Sequence, residues 1–303
     1  MDSISKHPAN HRREPLPADA SRAKASKATL GIMQGRLSPP INGRIQAFPA
    51  ENWRGEFQRA RALKFTSIEW ILESPLDANP LWTEGGLAEI QRAMSNTGVR
   101  VEFICADYFM ESPLVRMSPE IVSHNWSVLR KMIDRAAQLG LKGIEIPCVD
   151  ASAIHSFAEE DELVSILLPC LDYAAERRLE IGLETSLPSR RFRKLLKRLN
   201  HPALKANYDT GNSASLGYNP EEEMDACGEW INNVHIKDRV LGGGTVPLGT
   251  GQANIPRVLK LLKSSGYAGG FVLQAARGAD DVAVAGRYRD QLAAWLAEAG
   301  FNL

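Results

Sequence analysis

The sequence predicts a single α/β domain closed as a (β/α)8 barrel. Eight short β-rich runs alternate with longer helical patterns from about residue 29 onward, which argues for a parallel sheet. The chain has 303 residues, a length that suits one barrel of about 250 residues with an extension. No G-x-G-x-x-G follows the first run, so an open dinucleotide-binding sheet is the weaker reading.

The first β-rich run covers 28–33 and leads into Gln34-Gly35-Arg36, with a helical stretch over 53–64. The second run is 67–72 (SIEWIL), followed by a helix over 86–95 that stops at Gly98. The third is 100–105, and the long pattern over 119–139 ends on Gly140. The fourth run, 143–147, precedes a helix over 160–177. The fifth and sixth are 179–184 and 203–208, separated by a helix over 189–199. A helix over 220–230 leads to the seventh run, 231–236, and one over 255–264 leads to the eighth, 270–274. The last helix is expected over 280–297.

Residues 1–27 read as a disordered N-terminal tail and 28–303 as the barrel. The tail carries Lys6, Arg12, Arg13, Arg22, Lys24 and Lys27 among small and polar residues. It has too few large apolar groups to offset the entropy of ordering. Hydrophobic residues make up 44% of the chain, enough for a large core. Thirty-six basic residues balance 36 acidic ones, which is not the footprint of a nucleic-acid binder. A small-molecule partner is expected instead. No apolar run approaches a membrane span. The four cysteines, Cys105, Cys148, Cys170 and Cys227, form no C-x-x-C pair. They fit buried thiols in a reducing cytoplasm.

In such barrels the chemistry sits where strands end. The ends of runs five to eight carry Glu184, Asp209, His235 and Gln274 in order. Adjacent strand ends converge at the mouth, so these four can meet. Any one alone reads as an ordinary polar cap. Together, two carboxylates, an imidazole and an amide oxygen suit one divalent metal ion: Mn2+ as the leading expectation, with Mg2+, Co2+ or Zn2+ open.

Those residues sit in GLET, YDTGN, VHIKDR and FVLQ, the last preceded by VPLGTGQANIPRVL at 246–259. With these motifs, the chain over about 29–300 resembles the sugar phosphate isomerase/epimerase group of the xylose-isomerase-like TIM barrel superfamily. The D-x-G-N and H-I-K-D pieces look most like its ketopentulose-phosphate 3-epimerase branch. The resemblance implies metal ligands at Glu184, Asp209, His235 and position 274, and a sugar or sugar phosphate as substrate. It implies an isomerase or epimerase that moves a proton next to a carbonyl through a metal-stabilised enediolate. It also carries the expectation of a homo-oligomer, for which the sequence gives no interface signal of its own.

Position 274 departs from the family, which usually has glutamate there. Glutamine can offer an amide oxygen to a metal but cannot accept a proton at neutral pH. Glu184 therefore stands as one catalytic base. Glu69 is the first candidate to replace the second, and Glu145 the next. Lys237, beside the metal histidine, is a third catalytic candidate. Gln34, Arg36, Trp70, Asn212, Asp238, Arg239 and Arg277 are candidates for binding substrate. Trp70 would wall the pocket, and the three arginines would hold a phosphate. Two other readings stay open: a dehydratase or lyase for an inositol-like ketone on the same site, and a non-catalytic sugar binder in which Gln274 marks lost activity.

Overall fold

The computed structural model describes residues 27–303. The expected tail therefore lies outside the described residues, apart from Lys27, which is irregular and exposed. Eight parallel strands close in sequence order: β1 (Leu30–Met33), β2 (Ser67–Ile71), β3 (Arg100–Cys105), β4 (Gly143–Cys148), β5 (Glu180–Thr185), β6 (Leu204–Asp209), β7 (Ile231–Ile236) and β8 (Gly270–Leu273), with β8 pairing back onto β1. The closed (β/α)8 barrel is thus the observed fold, and several strands shift by a residue from their expected ends.

The long outer helices are α1 (Trp53–Ala62), α2 (Glu84–Thr97), α4 (Pro119–Leu139), α5 (Phe157–Glu176), α6 (Ser189–Leu199), α8 (Pro220–Cys227), α9 (Ile255–Ser264) and α10 (Asp281–Glu298), with α3 (Tyr108–Glu111) and α7 (Thr210–Leu216) short. Local chemistry sets their ends. Ser118 caps α4 by accepting from the Ile121 N–H, Pro119 opens it, and Gly140 closes it at φ 68°. Thr83 caps α2 by accepting from the Gly86 N–H. That cap starts the helix at Glu84, two residues before the expected glycine. Helices α3 and α7 carry no sequence signal, because both are too short to show a helical period.

Strand alternation decides which side chains reach the barrel interior. In β2, Glu69 points inward and Trp70 points out toward α1. Trp70 is fully buried, with ring centroids 5.4 Å from Trp53, 5.5 Å from Phe48 and 6.5 Å from Phe57. Its indole N–H donates to Asn79 Oδ1 at 3.0 Å. The expectation that Trp70 walls the pocket is corrected on this ground: neighbouring residues on a strand face opposite sides.

Trp70→Ala should cost about 3–5 kcal/mol, because it leaves a large hole in the sheet–helix layer and removes one of the two donors to Asn79 Oδ1. The urea midpoint should fall accordingly, while divalent-metal affinity of the folded fraction stays near wild type.

Candidate metal centre and active site

The C-terminal ends of the strands surround a cavity of about 600 Å³. Glu184, His235, Lys237 and Gln274 line it, and Asp209 lies beside them. Ligand atoms of Glu184, Asp209 and His235 all lie within 4.8 Å of one another, and all three residues are buried. The structure therefore brings together three of the four expected metal ligands directly.

Each is held by a distinct partner. Asp209 ends β6 and caps α7: its Oδ1 accepts from the Gly211 and Asn212 N–H groups, both at 2.8 Å. That fixes the carboxylate and leaves Oδ2 facing the cavity side. Gly211 is needed for this close approach, because a Cβ there would stand 2.8 Å from Lys237 Cγ. Asp209 Oδ2 is buried and takes no hydrogen bond, although the Lys237 ammonium lies 2.7 Å away.

Glu184 is held by two amides. Asn207 Nδ2 donates to Oε2 at 2.7 Å, and Asn212 Nδ2 donates to Oε1. His235 pairs through Nε2 with Glu69 Oε1 at 3.0 Å. Its Nδ1 then faces Glu184 Oε2 at 3.6 Å and Asp209 Oδ2 at 3.9 Å. A carboxylate behind a ligating histidine fixes which nitrogen faces the metal. Asn233 holds Glu69 in turn, donating to Oε2 at 2.8 Å.

Gln274 is linked to the group through the Lys237 ammonium. Gln46 donates to Asp107 Oδ2 at 2.8 Å, so its own oxygen is free to accept from Gln274 Nε2, at 2.9 Å. The Gln274 oxygen is thereby turned toward Lys237 Nζ, 2.9 Å away. One ammonium thus touches both Asp209 Oδ2 and Gln274 Oε1. The mixed oxygen and nitrogen donors fit a divalent cation, with Asp209 Oδ2 free of any hydrogen bond and held in an ion pair by the Lys237 ammonium that such a cation would replace.

The electrostatics agree. Burial raises the Glu184 carboxyl, but the His235 hydrogen bond and the charges of His235 and Lys237 outweigh it and hold it below its ordinary range. Burial opposes a charge on His235, yet Glu69 and Glu184 push the imidazole well above its usual range. The carboxylates that retain a proton there would equally retain a cation, so the two compete. Burial also pushes Glu145 well above the carboxylate range, with the Glu184 charge adding to it.

The remaining candidates separate. Asn212 and Arg239 line the cavity, and Arg239 donates to Asn212 Oδ1 at 2.8 Å. Arg36 reaches the cavity wall, but its donors go to the carbonyls of Ala275 and Ile45, and burial lowers it to about 10. Arg277 donates to the carbonyls of Gly35, Ser38 and Ile45 and to Asp281, so it braces the first βα loop and lies outside the cavity lining. Gln34 accepts from the Ile71 N–H at 3.0 Å and ties β1 to β2. Asp238 accepts from the N–H groups of Gly249, Gly251 and Ala253 at 2.8–3.1 Å, which clamps the following loop. Glu69 lies behind His235 with both oxygens engaged and does not line the cavity. That placement corrects its expected role as a second base: it orients the histidine.

Gln46, Asn207 and Asn233 escaped the sequence reading. The two asparagines had a signal, since each stands two residues before a candidate ligand and so faces the same way. Gln46 sits in a loop and had none.

With this geometry in place, the comparisons decide the family. A model described as Xylose isomerase-like TIM barrel matches residues 57–299. The chain belongs to that family. It is 26% identical over 273 residues to the L-ribulose-5-phosphate 3-epimerase UlaE of Escherichia coli (strain K12), covering 86% of this chain and 96% of that protein. A xylose isomerase-like TIM barrel protein from Mycobacterium smegmatis, solved in complex with magnesium, superposes with a TM-score of 0.68 at 19% identity, over 90% of this chain and 97% of the other. D-allulose 3-epimerase from Methylomonas sp., in complex with D-allulose, gives 0.68 at 17% identity, over 89% and 97%. No described helix is long and apolar enough to cross a membrane.

Metal affinity should fall as pH falls. His235 is held above its ordinary range, so below that raised value a proton must leave before a cation can enter. Titration calorimetry with Mn2+ at descending pH should show roughly tenfold weaker binding per unit. In Glu69→Gln, affinity should drop roughly 10–100-fold, and the pH dependence should move to lower pH. Wild-type affinity in Glu69→Gln across pH would contradict the assigned role.

Proposed function

We propose that the chain is a metal-dependent isomerase or epimerase acting on a ketose or ketose phosphate. The observation that carries this is the convergence of Glu184, Asp209 and His235 beside a cavity into which Lys237 and Gln274 also project. Glu184, Asp209, His235 and the Gln274 amide oxygen would hold one divalent ion. That ion would supply Lewis-acid polarisation of a substrate carbonyl.

The chain's own residues then divide the remaining work. Glu184, kept ionised by His235 and Lys237, takes the proton from the carbon next to the carbonyl. Its two amide donors fix its aim. Lys237 stands at the Gln274 side, where the family's second glutamate would be, and carries a transferable proton. In this reading it replaces that glutamate. Asn212 and Arg239, linked to each other and facing the cavity, hold substrate hydroxyls or a phosphate. The epimerase names of the relatives support the same class of chemistry.

The test is solvent exchange. A panel of ketohexoses and ketopentose 5-phosphates is incubated with enzyme and Mn2+ in deuterated water and followed by proton NMR. At least one member should lose the proton next to its carbonyl. The loss should stop with EDTA and slow at least about 100-fold in Glu184→Gln. Gln274→Glu should also lose turnover, because a carboxylate cannot donate to Gln46 and would pair with Lys237. No exchange across the panel would count against the assignment. A product lighter by one water would point to a lyase, and gained activity in Gln274→Glu to a degenerate site.

A further inference from the structure

A second group of donors lies beside the first, with Cys105 and Glu145 lining the same cavity and Glu69 set behind it against His235. Glu69 of β2, Cys105 of β3 and Glu145 of β4 place one ligand atom each within 4.8 Å of one another, all buried. Register explains the meeting, since Cys105 and Glu145 are Cα partners across β3 and β4. Glu145 is 1% exposed and lines the cavity; neither of its oxygens has a hydrogen-bond partner of regular geometry, and the Cys105 thiol faces its carboxyl as a weak donor. A buried carboxylate with so weak a donor is costly unless it is neutral or holds a cation.

We propose that Glu69, Cys105 and Glu145 form a second divalent-cation site, selective for a thiophilic ion such as Zn2+ or Co2+. The thiol sets the selectivity: sulfur favours zinc and cobalt, whereas magnesium and calcium prefer oxygen alone. Cys105 and Glu145 both face the cavity, so a water could complete a four-coordinate shell and leave an exchangeable position. Bond lengths of about 2.0–2.3 Å place tetrahedral ligand atoms roughly 3.5 Å apart, so the three side chains must close by about an ångström. Cys105 now approaches Asp107 Oδ1 at 3.2 Å. On binding, the sulfur–metal bond forms as the thiol proton passes to solvent. Glu69 Oε1 accepts from His235 Nε2 and Oε2 from Asn233; each oxygen keeps a second lone pair for the ion. The site shares Glu69 with the support of His235 but does not depend on the proposed reaction.

Cobalt reports it directly. Full-length protein stripped with EDTA is titrated with Co2+ while absorption and bound metal are measured. Two ions per chain are expected, one of them giving a thiolate-to-cobalt charge-transfer band in the near ultraviolet. Cys105→Ser should lose the band and bind one ion. Asp209→Asn should lose the other ion and keep the band, which separates this site from the one on Glu184, Asp209 and His235. Circular dichroism checks folding, and if Glu145→Gln does not fold, Cys105→Ser carries the test, being nearly isosteric. Wild type binding one ion without the band would overturn the proposal, leaving Glu145 as a neutral acid. A band that persists in Cys105→Ser would also overturn it.

Discussion

Anionic side chains crowd the C-terminal mouth of this barrel, and their mutual repulsion is the constraint to which the surrounding structure answers. Glu69, Glu145, Glu184 and Asp209 are all buried, and each would raise the others' cost of ionisation without compensation. The compensation is visible residue by residue. Asp209 spends one oxygen on the α7 N-terminus and presents the other to Lys237. Glu184 takes two side-chain amides. Glu69 is matched by His235. Only Glu145, of these four, keeps both oxygens without a hydrogen-bond partner of regular geometry. A site that gathers this much negative charge around one imidazole and one ammonium has the charge balance that a bound cation would complete.

Much of this arrangement was legible in the sequence, because a barrel converts periodicity into position. Strand ends five to eight could be read in order, and the parallel closure then carries Glu184, Asp209 and His235 to one point. The same period of two explains the clearest errors. Glu69 and Trp70 were both read as pocket residues, yet adjacent residues on a strand cannot share a face. Asn207 and Asn233 were passed over, although they stand two places before Asp209 and His235.

Other features had no sequence signal. The loop residue Gln46 sets the orientation of the Gln274 amide through a bond spanning most of the chain. Arg277 and Asp238 carry charges that suggest ligand contact, but backbone carbonyls and N–H groups consume them. Charge alone does not separate a group that meets substrate from one that braces a loop. That distinction depends on which backbone groups the folded loops leave unpaired. Gln274 reads differently for the same reason. In the sequence it is a missing carboxylate. In the fold it is an amide with its N–H directed to Gln46 and its oxygen directed to Lys237, a role that glutamate could not fill.

Crystals grown with Mn2+ and measured at the manganese absorption edge would test the central claim most directly. The account predicts an anomalous peak bounded by Glu184, Asp209, His235 Nδ1 and the Gln274 oxygen, with the Lys237 ammonium displaced from Asp209. Density free of any such peak at saturating manganese, with Lys237 still seated between Asp209 and Gln274, would contradict it.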